Sequence, residues 1–144
     1  MEELDDLELI SRNFEEITHR VPNLAAEFYR RFFGHHPELE ELFANSHATQ
    51  QQMLNESLLA VIDHLSDHGW VVSNMQSLGA RHAAYDVDPE MYDWWASTLL
   101  DTLRELSGDD WSERLEAVWR EKLELICSIA RKAQLEAAKW VIEV

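Results

Sequence analysis

Apolar residues in this chain recur at steps of three and four, and very little in it would break a helix. The 144 residues include four glycines (Gly34, Gly69, Gly79, Gly108) and three prolines (Pro22, Pro37, Pro89). That is too few turn-formers for a chain of short strands, and the apolar residues do not alternate as strand residues would. The fold class this predicts is all-α. Leu7, Ile10, Phe14 and Ile17 share one stripe of a first helix from about Asp5 to His19. Pro22 suits the first turn of a second, which carries Leu24, Phe28, Tyr29, Phe32 and Phe33 and stops at Gly34. Pro37 opens a short helix ending at Leu42-Phe43, and a long one is expected from about Ala48 to Asp67. A break at Gly69 leads to a helix ending near Tyr85. Asp88-Pro89-Glu90 reads as cap and first turn of the next, which ends at Gly108. Asp110 or Ser112 begins the last and longest, reaching towards Val144. Seven to eight helices of uneven length in a single domain, 1–144, argue against an up-and-down bundle.

Charge and cysteine usage remove several function classes. A net charge of −16 repels phosphate backbones and anionic headgroups, so neither nucleic acid nor a membrane is an expected partner. No stretch approaches the roughly 18 apolar residues of a spanning helix. The acidic start is unlike a signal peptide, so the cytoplasm is the expected location. Cys127 is the single cysteine, which excludes an internal disulfide and a multi-thiolate metal site.

Seven histidines are the candidates for chemistry. His35 and His36 fall in a turn before Pro37, His19 at a helix end, and His47 in a polar turn. His64 and His68 have the spacing of a two-histidine clip but no evident third ligand. His82 differs. In Leu78-Gly-Ala-Arg-His82-Ala-Ala-Tyr85 small residues flank it and would admit something bulky. Phe28, Tyr29, Phe33, Phe43 and the Gln50/Leu54/Leu58 face supply an apolar slot in which Tyr29 and Gln50 alone form hydrogen bonds, the kind of lining a large flat cofactor needs.

These segments carry a resemblance. Phe28-Tyr29…Phe33…His36-Pro37-Glu-Leu…Leu42-Phe43, then Leu78-Gly-Ala-Arg-His82-Ala-Ala-Tyr85-Asp-Val-Asp-Pro89-Glu-Met-Tyr92 and Leu99-Leu100, resemble the globin domain of bacterial flavohaemoglobins. They are similar also to single-domain bacterial haemoglobins of the Hell's Gate and Vitreoscilla types. The resemblance runs from about residue 5 to residue 136. It implies a globin fold around haem b, with His82 as the proximal iron ligand and Phe43 wedged against the haem. Tyr29 matches the distal tyrosine, and Gln50 is expected as the distal amide with Leu54 one turn on; another register would put Met53 or Leu54 at the distal position. Phe28, Phe33, Leu58 and Tyr85 complete the expected cofactor contacts. Behind His82, Tyr92 matches a tyrosine and Glu136 a carboxylate, if Trp119 aligns with the family's tryptophan. Trp94-Trp95 departs from the usual small pair.

The resemblance further implies reversible binding of O2, NO and CO. O2 transport and NO detoxification by dioxygenation are the expected roles, the latter needing a separate reductase because no glycine-rich dinucleotide motif is present. A gas sensor signalling through a partner protein is the alternative. The apolar end Ala137-Ala-Lys-Trp140-Val-Ile-Glu-Val144 leaves monomer and homodimer both open.

Overall fold

The structure, a computed structural model, describes residues 4–43, 46–85 and 87–143, with side chains described as far as residue 137. Six α-helices and two 3-10 turns account for the ordered elements among these residues: α1 (Asp6–Arg20), α2 (Leu24–His35), a 3-10 turn (Pro37–Leu42), α3 (His47–Asp63), α4 (His68–Ala83), α5 (Met91–Ser107), a second 3-10 turn (Gly108–Asp110) and α6 (Glu113–Glu143). The apolar end expected beyond Ala137 lies outside the described side chains. No helix among the described residues is long and apolar enough to cross a membrane.

Local side chains set most boundaries. Asp5, Asn23, Ser46 and Asp67 each accept a backbone N–H from the first turn of the helix that follows, satisfying donors that have no partner inside the helix. Asp67 is the one that changes the expected layout. The long helix does not run on to residue 67; it stops at Asp63, and α4 starts at His68 with Gly69 inside it. His64 and His68 therefore do not share one helix face. The His64 ring instead bonds the Ala60 carbonyl at 2.8 Å and stacks on Trp70 at 4.2 Å. The Asp88 carboxylate accepts from Glu90 N at 2.9 Å, which makes Asp-Pro-Glu a turn and delays α5 to Met91. At the other end of α5, Gly108 takes a φ of 58°, a conformation that favours glycine.

The core is built on Ile10, Ile17, Leu24, Phe28, Leu99 and Leu103, all essentially inaccessible. One buried polar chain crosses it. The Trp119 indole N–H donates to Asn13 Oδ1 at 2.9 Å, and Asn13 Nδ2 donates to Ser107 Oγ at 3.0 Å, joining α6, α1 and α5. Each of these groups would be costly if buried alone, so the chain fixes how the three helices align.

Helix α3 packs on α2, whereas α4 packs almost wholly on α6, and α3 and α4 make no comparable contact with each other. The approach of α4 to α6 is so close that a Cβ on Gly79 would lie 2.0 Å from the Ala130 carbonyl oxygen. The glycine three residues before His82 thus serves the meeting of two backbones, where its smallness had pointed to the approach of a bulky ligand. An alanine at 79 would gain about 1 kcal/mol of helix propensity, but parting two packed backbones costs about 3 kcal/mol. Gly79→Ala should therefore lose about 2 kcal/mol in urea unfolding. A variant as stable as its parent would mean that the helices do not meet there.

Candidate functional site

His82 sits in the last turn of α4, half-buried, with its ring facing the start of α5. Its Nδ1 lies 3.0 Å from the Tyr92 hydroxyl oxygen, ten residues later in sequence. Burial, reinforced by the Arg81 guanidinium, holds its pKa below the ordinary value. At neutral pH the ring is therefore uncharged, with one N–H and one lone pair. If Nδ1–H donates to Tyr92, the lone pair is left on Nε2, which suits it to a metal.

Tyr92 is buried against α6. The Cys127 thiol approaches its carbonyl at 3.8 Å, and the Arg131 guanidinium stands 5.9 Å from its ring centroid, in an ion pair with Asp93 at 2.5 Å. Glu136 is not part of this group; it is exposed on α6. The buried residue on that stretch is Gln134, whose Nε2 donates to the Val87 carbonyl and whose Oε1 is a buried acceptor without a partner among the described residues. Sequence reasoning missed Gln134, although steps of four from Trp119 through Leu123 and Cys127 lead near it, and residue 136 falls off that face.

A second cluster lies on α2 and the turn after it. Tyr29 stacks on Phe33 at 5.4 Å and meets Phe28 and Phe43 edge-on at 5.1 and 5.7 Å. Phe33 and Phe43 close the set at 5.3 Å. A cavity of about 220 Å³ opens beside these rings, lined by Tyr29, Phe33, Phe43 and, from the first turn of α3, Gln50. Gln50 thus shares a space with Tyr29, as do His47 and Gln51 of the same helix. Leu54 is half-buried, Leu58 belongs to the core, and Met53 is 50% exposed. A larger hollow of about 430 Å³ lies elsewhere, between α1 and the end of α3, with charged residues on its walls.

The structure therefore brings Phe28, Tyr29, Phe33, Phe43 and Gln50 together and pairs His82 with Tyr92. It leaves Tyr85 aside: the side chain is 66% exposed, and its backbone N–H bonds the His82 carbonyl at 3.1 Å as α4 unwinds. Trp94 and Trp95 both turn towards α2. Trp94 stacks on His36 at 4.3 Å, and Trp95 meets Phe28 edge-on at 6.1 Å.

The family model described as Globin matches residues 26–130. The chain belongs to the globin family. Among curated proteins this globin is similar to the flavohemoprotein of Halalkalibacterium halodurans, 31% identical over 109 residues, covering 74% of this chain and 26% of that protein. It is 32% identical to the flavohemoprotein of Vibrio cholerae over 101 residues, covering 68% and 26% respectively. The chain thus spans about a quarter of the length of these relatives. Among solved structures, an engineered carbene transferase derived from a candidate nitric oxide dioxygenase of Rhodothermus marinus superposes with a TM-score of 0.83. That match covers 99% of each chain at 18% identity and supports the globin fold alone.

Burial pushes the Tyr29 and Tyr92 phenols and the Cys127 thiol each up to about 12. The folded globin therefore holds these protons more tightly than the unfolded chain does. Their contribution to stability is complete below the unfolded values, about 9 for the thiol and 10 for the phenols, and is lost as pH rises towards 12. Urea midpoints should stay level between about pH 7 and 8.5 and decline beyond it. A midpoint unchanged at about pH 11 would show that these groups are not buried as described.

Proposed function

We propose that this globin binds haem b through His82 Nε2 and holds a diatomic gas beside Tyr29 and Gln50, acting as a single domain over residues 1–144 in the cytoplasm. The observation that carries the reading is the 3.0 Å contact of His82 Nδ1 with Tyr92. It orients the ring and gives the Nδ1 proton an acceptor, so that Nε2 presents the lone pair. The aromatic walls formed by Phe33 and Phe43 support a flat group seated beside them, with the polar residues of the same cavity at its edge. Haem, when bound, supplies an iron atom that takes O2, NO or CO.

In this reading Tyr29 and Gln50, which line one cavity, govern how long a gas stays. Burial keeps the Tyr29 phenol protonated at every physiological pH, so it acts as a fixed donor. Gln50 adds an amide N–H from α3. Hydrogen bonds to a partly anionic acceptor contribute about 1.5 to 3 kcal/mol, which slows ligand escape roughly ten- to a hundredfold. The flavohemoprotein relatives favour dioxygenation of NO to nitrate as the reaction, with O2 as co-substrate and one electron per turnover from a reductase. Without that donor the same residues serve O2 binding and transport.

Purified protein should show a Soret band that is lost in His82→Ala, and a wild type that takes up no haem would end this reading. Tyr29→Phe should raise the O2 dissociation rate at least about tenfold; an unchanged rate would mean that Tyr29 does not face the ligand. Mixing the oxygenated protein with NO should release nitrate faster than an unrelated globin does. If it does not, transport stands and dioxygenation falls.

A further inference from the structure

Helix α3 carries Gln50, yet little apolar burial holds that end of it. Its buried residues, Leu58 and Val61, both lie in its second half, and Leu54 before them is half-buried. Its main neighbour is α2. What joins the first half of α3 to α2 is a set of amides. Asn55 Oδ1 accepts the Ala25 backbone N–H at 2.9 Å, and Asn55 Nδ2 donates to Asn23 Oδ1 at 2.9 Å. Asn23 donates in turn from Nδ2 to Gln51 Oε1 at 3.0 Å, while its Oδ1 also accepts the Ala26 N–H at 3.2 Å.

The first N–H groups of a helix have no partner inside it. In α2 one of them is capped locally by Asn23, and the next is capped by a side chain that belongs to α3. An amide offers a donor at one end and an acceptor at the other, and both ends of Asn55 are used. A slip of α3 by one residue would turn its side chains by about 100° and carry both ends away from their partners. The clip also sorts three consecutive glutamines. Gln51 is taken by Asn23, and Gln52 Nε2 donates to Glu56 Oε1 at 3.1 Å along α3 itself. The Gln50 side chain has no hydrogen-bond partner among the described residues, and it lines the cavity with Tyr29. On α3 the clip is one residue from Gln50, through Gln51. On α2 it is one turn from Tyr29, through Ala25.

We propose that Asn55, together with Asn23, is a positioning residue for gas binding: it fixes the register of α3 on α2 and thereby the place of the Gln50 amide relative to the Tyr29 hydroxyl. The inference rests on the gas-binding reading of Tyr29 and Gln50. Hydrogen bonds weaken steeply with misalignment, so a loosened α3 lowers the grip on a polar ligand while every residue that touches the ligand is still present. O2 is polar once bound and feels that placement. CO carries far less charge and responds little. The clip therefore tunes discrimination between the two gases from outside the cavity.

Amide hydrogen exchange tests the clip whether or not haem is loaded. Asn55→Ala should speed exchange at Ala25 and along residues 50–55 at least about tenfold, while Val61 keeps its protection. Asn23→Ser keeps a cap for Ala26 and cuts the ties to Asn55 and Gln51, so it should speed residues 50–55 in a protein whose α2 stays formed. In the loaded protein both variants should raise the O2 dissociation rate about three- to tenfold and leave the CO rate within about twofold. In a Gln50→Leu background the O2 effect should vanish, since no amide is left to position. Unchanged exchange in both variants would overturn the clip. Equal rises for O2 and CO, or an O2 effect that survives Gln50→Leu, would overturn the positioning role. A wild type without a Soret band ends the haem reading and that role together, whereas a loaded protein in which Gln50→Leu speeds O2 loss and Asn55→Ala does not ends the role alone.

Discussion

Helix α4 owes its place almost entirely to α6, and the contact that sets its depth is backbone against backbone at Gly79 and Ala130. A side chain at 79 would move the whole helix outward. His82 is three residues further along α4, so its reach towards Tyr92 depends on that contact more than on anything its own ring does. The same seating leaves α4 with little contact to α3. The two helices are each held by a different neighbour, α3 by α2 and α4 by α6.

The two halves of the site share an electrical character that the chain as a whole lacks. A protein with a net charge of −16 carries at this site an uncharged imidazole, two protonated phenols and two amides, Gln50 and Gln134. Burial is the first cause of each shift: it lowers the His82 pKa and raises those of Tyr29 and Tyr92. Low polarity penalises whichever form is charged, so the histidine loses its proton while the phenols keep theirs. The outcome suits small uncharged ligands and leaves the acidic residues to the surface, where water screens them.

Much of this was legible in the sequence, and the parts that were not have physical reasons. Scarce glycine and proline with three- and four-residue apolar steps gave an all-helical chain. The spacing of His82 and Tyr92, read through the flavohaemoglobin resemblance, put that pair together. Boundaries failed where a side chain competed with the helix, as Asp67 does at the start of α4 and Asp88 before α5. Glu136 follows from aligning Trp119 with the family's tryptophan, on a helix rich in glutamates where a small slip selects a solvated side chain. A displacement of two residues on a helix turns a side chain by about 200°, from the buried face to solvent. Gln134 could have been found by following the buried stripe through Trp119, Leu123 and Cys127. Tyr85 was misplaced for a related reason: α4 ends at Ala83, and a residue two positions past a helix end no longer follows its periodicity.

Helix α5 links the His82 pair to the aromatic cluster on α2. Tyr92 and Trp95 are one turn apart on it. The first bonds His82 on α4, and the second meets Phe28 on α2, whose ring in turn meets Tyr29. Trp94 adds a stack on His36, where α2 ends. His82 and Tyr29 are therefore both referred to the same stretch of α5, the first directly and the second through Phe28. Their separation is set by the rigid rise of α5 and by aromatic packing, which tolerates little change in spacing. The bulky Trp94-Trp95 pair, which the resemblance marks as a departure, then has a mechanical role: it braces α5 against α2.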